Sequence, residues 1–153
     1  MLRQRGAHRQ KVSLIAAISV RIDRREASLY YRTYPQVSID SKRILPFLGQ
    51  LGRHIRGPFI LVWDGLAAHR SPNVRRYCAE RGILLERLPA YAPELNPVEI
   101  VWSYLKMNPL ANLTPHNLEE LTAATRWAGR CTQRRTPALH GCLHHTPLFF
   151  WPH

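Results

Sequence analysis

Phe59-Ile60-Leu61-Val62-Trp63-Asp64-Gly65 and Asn96-Pro97-Val98-Glu99 are the two stretches that decide the fold. The first is a short apolar and aromatic run, the pattern of a strand buried on both faces. Asp64 follows it directly, and Gly65 lets the chain turn. An acid there projects from the carboxyl end of a strand, the edge at which open α/β sheets place their sites. The second stretch reads as N-cap, N1, N2 and N3 of a helix. Val98, Val101, Trp102 and Leu105 then recur at helical spacing and define an inward face. Lys106 falls seven residues after Glu99, close to the same stripe. A carboxylate and a cation on one stripe suit a site for metal and phosphate. Either acid also has a structural role open to it. Asp64 can satisfy turn amides, and Glu99 can complete a capping box.

Working outward, Ser71-Pro72 opens a helix with Val74, Tyr77 and Cys78 inward, and Gly82 closes it. Ile83 to Leu88 reads as a strand. Pro89, Pro93 and Pro97 stiffen the connector that leads to Glu99. Upstream, Val12 to Val20 reads as a buried strand, Asp23 to Glu26 as a polar turn, and Ser28 to Tyr34 as the second arm of a hairpin. Asp40 or Ser41 caps a helix with Ile44, Phe47, Leu48 and Leu51 inward. Pro46 fits only its first turn, so that helix is expected to start late or bend. Gly57-Pro58 breaks the chain before the Asp64 strand. Downstream, a helix is expected from near Thr114-Pro115 to about Cys131, with Leu118 and Leu121 inward. Residues 1 to 11 read as a basic arm, and residues 132 to 153 as a basic tail ending in an aromatic patch. The order of elements is that of an α/β domain.

The two acids and their surroundings resemble the second and third acids of the DDE transposase catalytic core, in the IS630 branch of the Tc1/mariner superfamily. Asp64-Gly65-Leu66-Ala67-Ala68-His69-Arg70-Ser71 looks like the motif after the second acid, although Gly65 stands where the family often has Asn. Leu88-Pro89-Ala90-Tyr91-Ala92-Pro93-Glu94-Leu95-Asn96-Pro97-Val98-Glu99, with Trp102 and Lys106, looks like the signature of the third. The 34 residues between Asp64 and Glu99 match that branch. The resemblance implies an RNase H-like mixed sheet with flanking helices. Its core would cover about residues 8–110, with a helical and basic tail over about 111–153. Val12 to Val20 would be that fold's second strand. The first, central strand and the first catalytic Asp would lie before the chain begins, and so would an upstream DNA-reading module.

The same resemblance implies a reaction and its ligands. Asp64 and Glu99 would be catalytic and metal-binding, with two Mg²⁺ (or Mn²⁺) ions in the complete family site. The reaction would be cleavage at transposon ends and strand transfer into target DNA. With one acid missing, the chain alone is expected to be inactive or nearly so. Asp23 and Asp40 read as turn and cap residues rather than substitutes for it. A chain without its central strand would also leave two inner sheet edges unpaired, which predicts aggregation unless the basic arm fills the gap. The alternative function is a non-catalytic DNA-binding or interaction protein that regulates a full-length transposase. His69 would orient a phosphate or water, or else serve as a structural polar contact.

Composition agrees with a nucleic-acid partner. The net charge is +12 over 153 residues, and only Lys11, Lys42 and Lys106 of the 22 basic residues are lysines. Arginine forks match phosphate geometry. Arg70, Arg75, Arg76 and Lys106 are the candidate DNA contacts, with Arg126, Arg130, Arg134 and Arg135 as further phosphate-binding candidates. Partners would be transposon-end and target DNA, and a second copy or a full-length transposase. The longest apolar runs, Val12 to Val20 and Leu148 to Trp151, are too short to span a membrane, so a cytoplasmic location is expected. Cys78, Cys131 and Cys142 form no even disulfide framework. Cys131, His140, Cys142, His144 and His145 cluster in sequence without the paired spacing of a zinc site, and are expected to be isolated thiols and surface histidines.

Overall fold

A computed structural model describes residues 11–23, 25–107, 110, 112 and 114–147. Strand β1 (Val12–Val20) and strand β2 (Ala27–Pro35) form an antiparallel hairpin, with Val20 opposite Ala27 and Val12 opposite Pro35. Its polar turn is held by Asp23, whose Oδ1 accepts from Arg25 N at 3.1 Å. Strand β3 (Ile60–Trp63) and strand β4 (Leu84–Arg87) form a separate parallel pair, with Trp63 opposite Arg87. Among the described residues no strand bridges the two pairs. The expected mixed sheet is thus present as two halves. Among those residues the inner edge of each half, β1 and β3, has no ladder partner on its far side. The basic arm expected to fill the gap falls on residues 1–10, outside the described residues.

Helix α1 (Ser41–His54) covers the parallel pair. Asp40 caps it, accepting from Arg43 N at 3.1 Å. Ile44, Phe47, Leu48 and Leu51 are buried, as their spacing predicts. Pro46 corrects the expectation of a late start. The Asp40 cap fixes the first turn at Ser41, so Pro46 lies in the second turn, where its ring nitrogen cannot bond the Lys42 carbonyl. Pro46 is exposed, so water can serve that carbonyl instead.

Helix α2 (Pro72–Glu80) joins β3 to β4 and buries Val74 and Cys78 against α1. It ends in a Schellman turn. Gly82 adopts φ +64°, Ile83 N donates to Cys78 O at 2.9 Å, and Gly82 N donates to Ala79 O at 3.2 Å. That turn sets the start of β4. Contrary to the reading of a strand buried on both faces, β3 alternates. Leu61 and Trp63 pack on α1 and α2, while Ile60 (60 % exposed) and Val62 (48 %) face outward beside Leu84 (63 %). Only one face of the parallel pair is covered among the described residues.

A second core joins the hairpin to three helices: α3 (Pro97–Met107), α4 (Leu118–Gln133) and α5 (Thr136–His144). α3 contributes Val101 and Leu105, with Trp102 half-buried. Asn117 caps α4, its Oδ1 accepting from Glu120 N at 2.8 Å. In return Glu120 Oε2 accepts from His116 N at 2.8 Å. The inward residues of α4 are Thr122, Thr125, Ala128, Gly129 and Thr132, not the predicted Leu118 and Leu121, which are half-buried. The helix lies so close to β2 that only small residues fit. A Cβ on Gly129 would overlap the Tyr31 ring, and Tyr31 OH donates to Arg126 O at 2.8 Å. The buried threonines return their hydroxyls to the carbonyl four residues back, Thr122 to Leu118 O and Thr125 to Leu121 O, both at 2.7 Å.

The segment read as a basic tail, in the part of the chain expected to be helical and basic, contains α5, which buries Leu139, Cys142 and Leu143. The C-terminal aromatic patch lies outside the described residues. Among them, no helix is long and apolar enough to cross a membrane.

Candidate active site

Asp64 emerges from the carboxyl end of β3, half-buried. Two donors hold one of its oxygens. Leu66 N donates to Oδ1 at 3.1 Å, and His69 Nδ1 lies 2.8 Å from the same atom. His69 Nδ1 also stands 3.2 Å from the Asp64 carbonyl oxygen. Both neighbours of Nδ1 are acceptors, so this nitrogen carries the proton and donates. The imidazole is fixed from its other side by Trp63, whose ring stacks on it at 4.4 Å and 3°. The 3-10 turn Ala67–Arg70 brings His69 back beneath the strand end. His69 is therefore a structural polar contact that orients the acid. The second oxygen, Oδ2, has no protein donor among the described residues.

Gly65 serves a purpose that its sequence position did not reveal. Its backbone is not in the left-handed region. What it supplies is space: a Cβ there would stand 2.8 Å from Arg87 Nη2 and 3.1 Å from Nε. Arg87 is the last residue of β4 and pairs with Trp63. Leu88 N donates to Trp63 O at 2.8 Å and pins the two strand ends together. Sequence reading passed over Arg87, and the only signal available was its place at the end of the strand after the Asp64 helix.

Glu99 lies in the first turn of α3, exposed. The turn before it is built by Asn96, whose Oδ1 accepts from Val98 N at 3.1 Å and whose carbonyl accepts from Glu99 N at 3.0 Å. Asn96 N itself donates to Pro93 O at 3.0 Å. That bond removes the donor a capping box would need, so the Glu99 carboxylate has no protein donor among the described residues. Lys106, at the other end of α3, is also exposed. Between the two acids, Tyr91 stands fully exposed at φ +58°.

The candidate DNA contacts divide into two sets. Arg76 is engaged with Glu80 (3.9 Å) and Asn73 (3.5 Å). Arg126 donates to Thr33 Oγ1 at 3.1 Å, and Arg135 to Tyr104 OH at 3.2 Å. Arg70, Arg75 and Lys106 are exposed, and among the described residues their side chains have no ion pair or hydrogen bond; the same holds of Arg87, which was not among the candidates. Asp23 and Asp40 occupy the turn and cap positions read for them. Among the described residues no three His, Cys, Asp or Glu side chains gather as a metal cluster, at the acids or near the C-terminal histidines.

The family model of the DDE superfamily endonucleases matches residues 2–122. The chain belongs to the DDE superfamily endonuclease family. A Mos1 transposase catalytic domain, solved with raltegravir and Mg, superposes with a TM-score of 0.53 at 14 % identity, covering 92 % of this chain and 85 % of that one. A second Mos1 mariner catalytic domain gives 0.50 at 16 % identity, covering 92 % and 83 %. The simian T-cell lymphotropic virus intasome in complex with PP2A regulatory subunit B56 gamma gives 0.52 at 17 %, covering 94 % and 56 %. These likenesses establish the RNase H-like fold of this chain. In Sinorhizobium fredii the uncharacterized protein y4pE/y4sA is 32 % identical over 75 residues, 48 % of this chain. The alignment spans 53 % of that relative, about half its length.

Proposed function

We propose that this DDE endonuclease chain is catalytic-domain sequence of an IS630-branch transposase, with Asp64 and Glu99 as metal-binding catalytic acids acting on DNA. The observation that carries the reading is the state of the two carboxylates. Asp64 is oriented through one oxygen and keeps the other free, and Glu99 is not consumed by its own helix cap. Free carboxylate oxygens are the donors that hard Mg²⁺ and Mn²⁺ ions take. When bound, such an ion neutralises charge on the phosphoryl group and activates the attacking water or 3′-hydroxyl. In this chain Asp64 and Glu99 would hold it, His69 would keep Asp64 aimed, and the free arginines and Lys106 would hold the DNA backbone.

Two acids among the described residues match the family's motifs, where its scheme uses three. Asp23 and Asp40 are committed elsewhere. The chain alone is therefore expected to be inactive or nearly so. The same observation favours the second reading, a non-catalytic DNA-binding relative that joins and regulates a full-length transposase.

Metal titration followed by a nicking assay separates the two. Mn²⁺ binding that is lost in both Asp64→Ala and Glu99→Ala supports the shared metal site. Binding indifferent to both substitutions would sink it. Nicking of the element's end by the purified chain, abolished by Asp64→Ala, would show that the chain is a complete enzyme.

A further inference from the structure

We propose that Arg87 is a phosphate contact of the Asp64 site, its guanidinium seated over Gly65 so that it meets a DNA backbone oxygen beside the Asp64 carboxylate. The inference rests on the proposed DNA-processing function and adds to it a residue that no motif marked.

Three observations place Arg87. Its backbone is fixed one residue from Asp64, by the Trp63–Arg87 pairing and by the Leu88 N to Trp63 O bond at 2.8 Å. In a parallel pair, partners point to the same face, so Arg87 leaves the sheet on the side of Trp63 and the residues aligned with it. Its guanidinium then lies across Gly65, with Nη2 at 2.8 Å from the position a Cβ would take. Gly65 thus opens the slot that lets a long basic side chain fold back over the strand end.

That slot leaves the guanidinium ready to bind. Among the described residues the Arg87 guanidinium has no carboxylate partner and no hydrogen bond, even though Asp64 is adjacent in the chain to the glycine it covers. Its five N–H donors remain available, and the planar fork suits two oxygens of one phosphate. The strand pairing fixes the Arg87 backbone, so the side chain starts from a set position beside Asp64. Arg87 therefore acts as a DNA-binding and positioning residue that sets where the phosphate sits relative to Asp64.

The test uses the full chain, a fluorescein-labelled DNA duplex, and anisotropy titrations over a series of salt concentrations. Arg87→Ala and Arg87→Met should weaken binding several-fold at low salt and flatten the log K against log salt slope by about 0.9, the loss of one phosphate contact. Arg87→Lys should keep the slope. Gly65→Ala should reproduce the loss in the parent chain and add nothing in the Arg87→Ala background, because both act on one seat. Thermal melting of each variant separates this from loss of fold, and Arg87→Met keeps the packing of the stem. If the parent chain shows salt-dependent binding and the Arg87 variants match it, Arg87 has no such role and the DNA reading stands. If the parent chain does not bind the duplex, both fall. Additive effects of Gly65→Ala and Arg87→Ala would overturn the shared seat.

Discussion

His69 Nδ1 stands 2.8 Å from Asp64 Oδ1, and the imidazole is clamped there by the parallel face of Trp63. The acid at the end of β3 is thus not free to swing. One oxygen is tethered to the turn that follows it, and the other has no protein donor among the described residues. On the proposed metal-binding reading of Asp64, a partner of this kind would tune the acid without touching the ion.

On that proposed reading, removing the partner should loosen Asp64 and leave the fold standing. His69→Ala is expected to weaken Mn²⁺ binding by about 10- to 100-fold. His69→Asn, which can still donate to the carboxylate, should recover part of it. Calorimetric titration of each variant reads the effect, and unchanged affinity in His69→Ala would make the histidine purely a packing residue.

The seam between β2 and α4 tolerates no added volume at one point. Gly129→Ala drives a methyl group into the Tyr31 ring and should cost about 1–3 kcal/mol, as overpacked cores do. Tyr31→Ala in the same chain should return part of that loss. Chemical denaturation of the single and double variants measures the coupling; strictly additive losses would mean that the two residues do not share the space.

Acid should release the start of α1. The Asp40 carboxyl is held below its ordinary range, first by the hydrogen bond from the Arg43 side chain at 2.6 Å and then by the Arg43 backbone N–H. A group depressed in the folded state stabilises it above the unfolded pKa of about 3.9 and loses that contribution as pH falls through the lower folded value. Asp40→Asn keeps a capping oxygen but removes the charge. Its melting temperature should lie below that of the parent near neutral pH, and the two should converge in acid. Parallel curves across that range would contradict the assignment.

Thiol labelling should distinguish the three cysteines. Cys78 and Cys142 are buried, and burial pushes both thiols above the usual value, while Cys131 is only half-buried. Protection of this kind lowers thiolate population and access together. Under native conditions a thiol reagent should modify Cys131 first, with Cys78 and Cys142 following only on denaturation. Peptide mapping of the labelled chain checks the order.

Much of this fold was legible because its punctuation is chemical. Asp40, Gly82 and the Asn96-Pro97 pair act as the cap, stop and start that their residue types imply, and the helix between Asp40 and Gly57 buries the four residues its spacing selects. What escaped was anything decided by a neighbour distant in sequence. The small inward face of α4 is set by Tyr31, more than ninety residues away, so leucines chosen by hydrophobicity were the wrong ones. α5 is short and carries histidine and glycine, and only the Thr136-Pro137 start and the Leu139–Leu143 spacing marked it. At the candidate site, the motifs gave the placement of the two acids, Asp64 at the end of β3 and Glu99 in the first turn of α3. The approach of Arg87 to Gly65 was not readable, because Arg87 reaches it only through the pairing of β3 with β4.

The outward face of that pair has a calorimetric consequence. Ile60, Val62 and Leu84 remain wetted in the native chain, so unfolding exposes less new hydrocarbon there than a two-sided sheet would. Heat-capacity increments track that newly exposed hydrocarbon, at about 12–15 cal/mol/K per residue for ordinary domains. Scanning calorimetry should therefore return a lower increment per residue for this chain, and a correspondingly shallower stability curve, with the deficit removed once a covering surface is supplied.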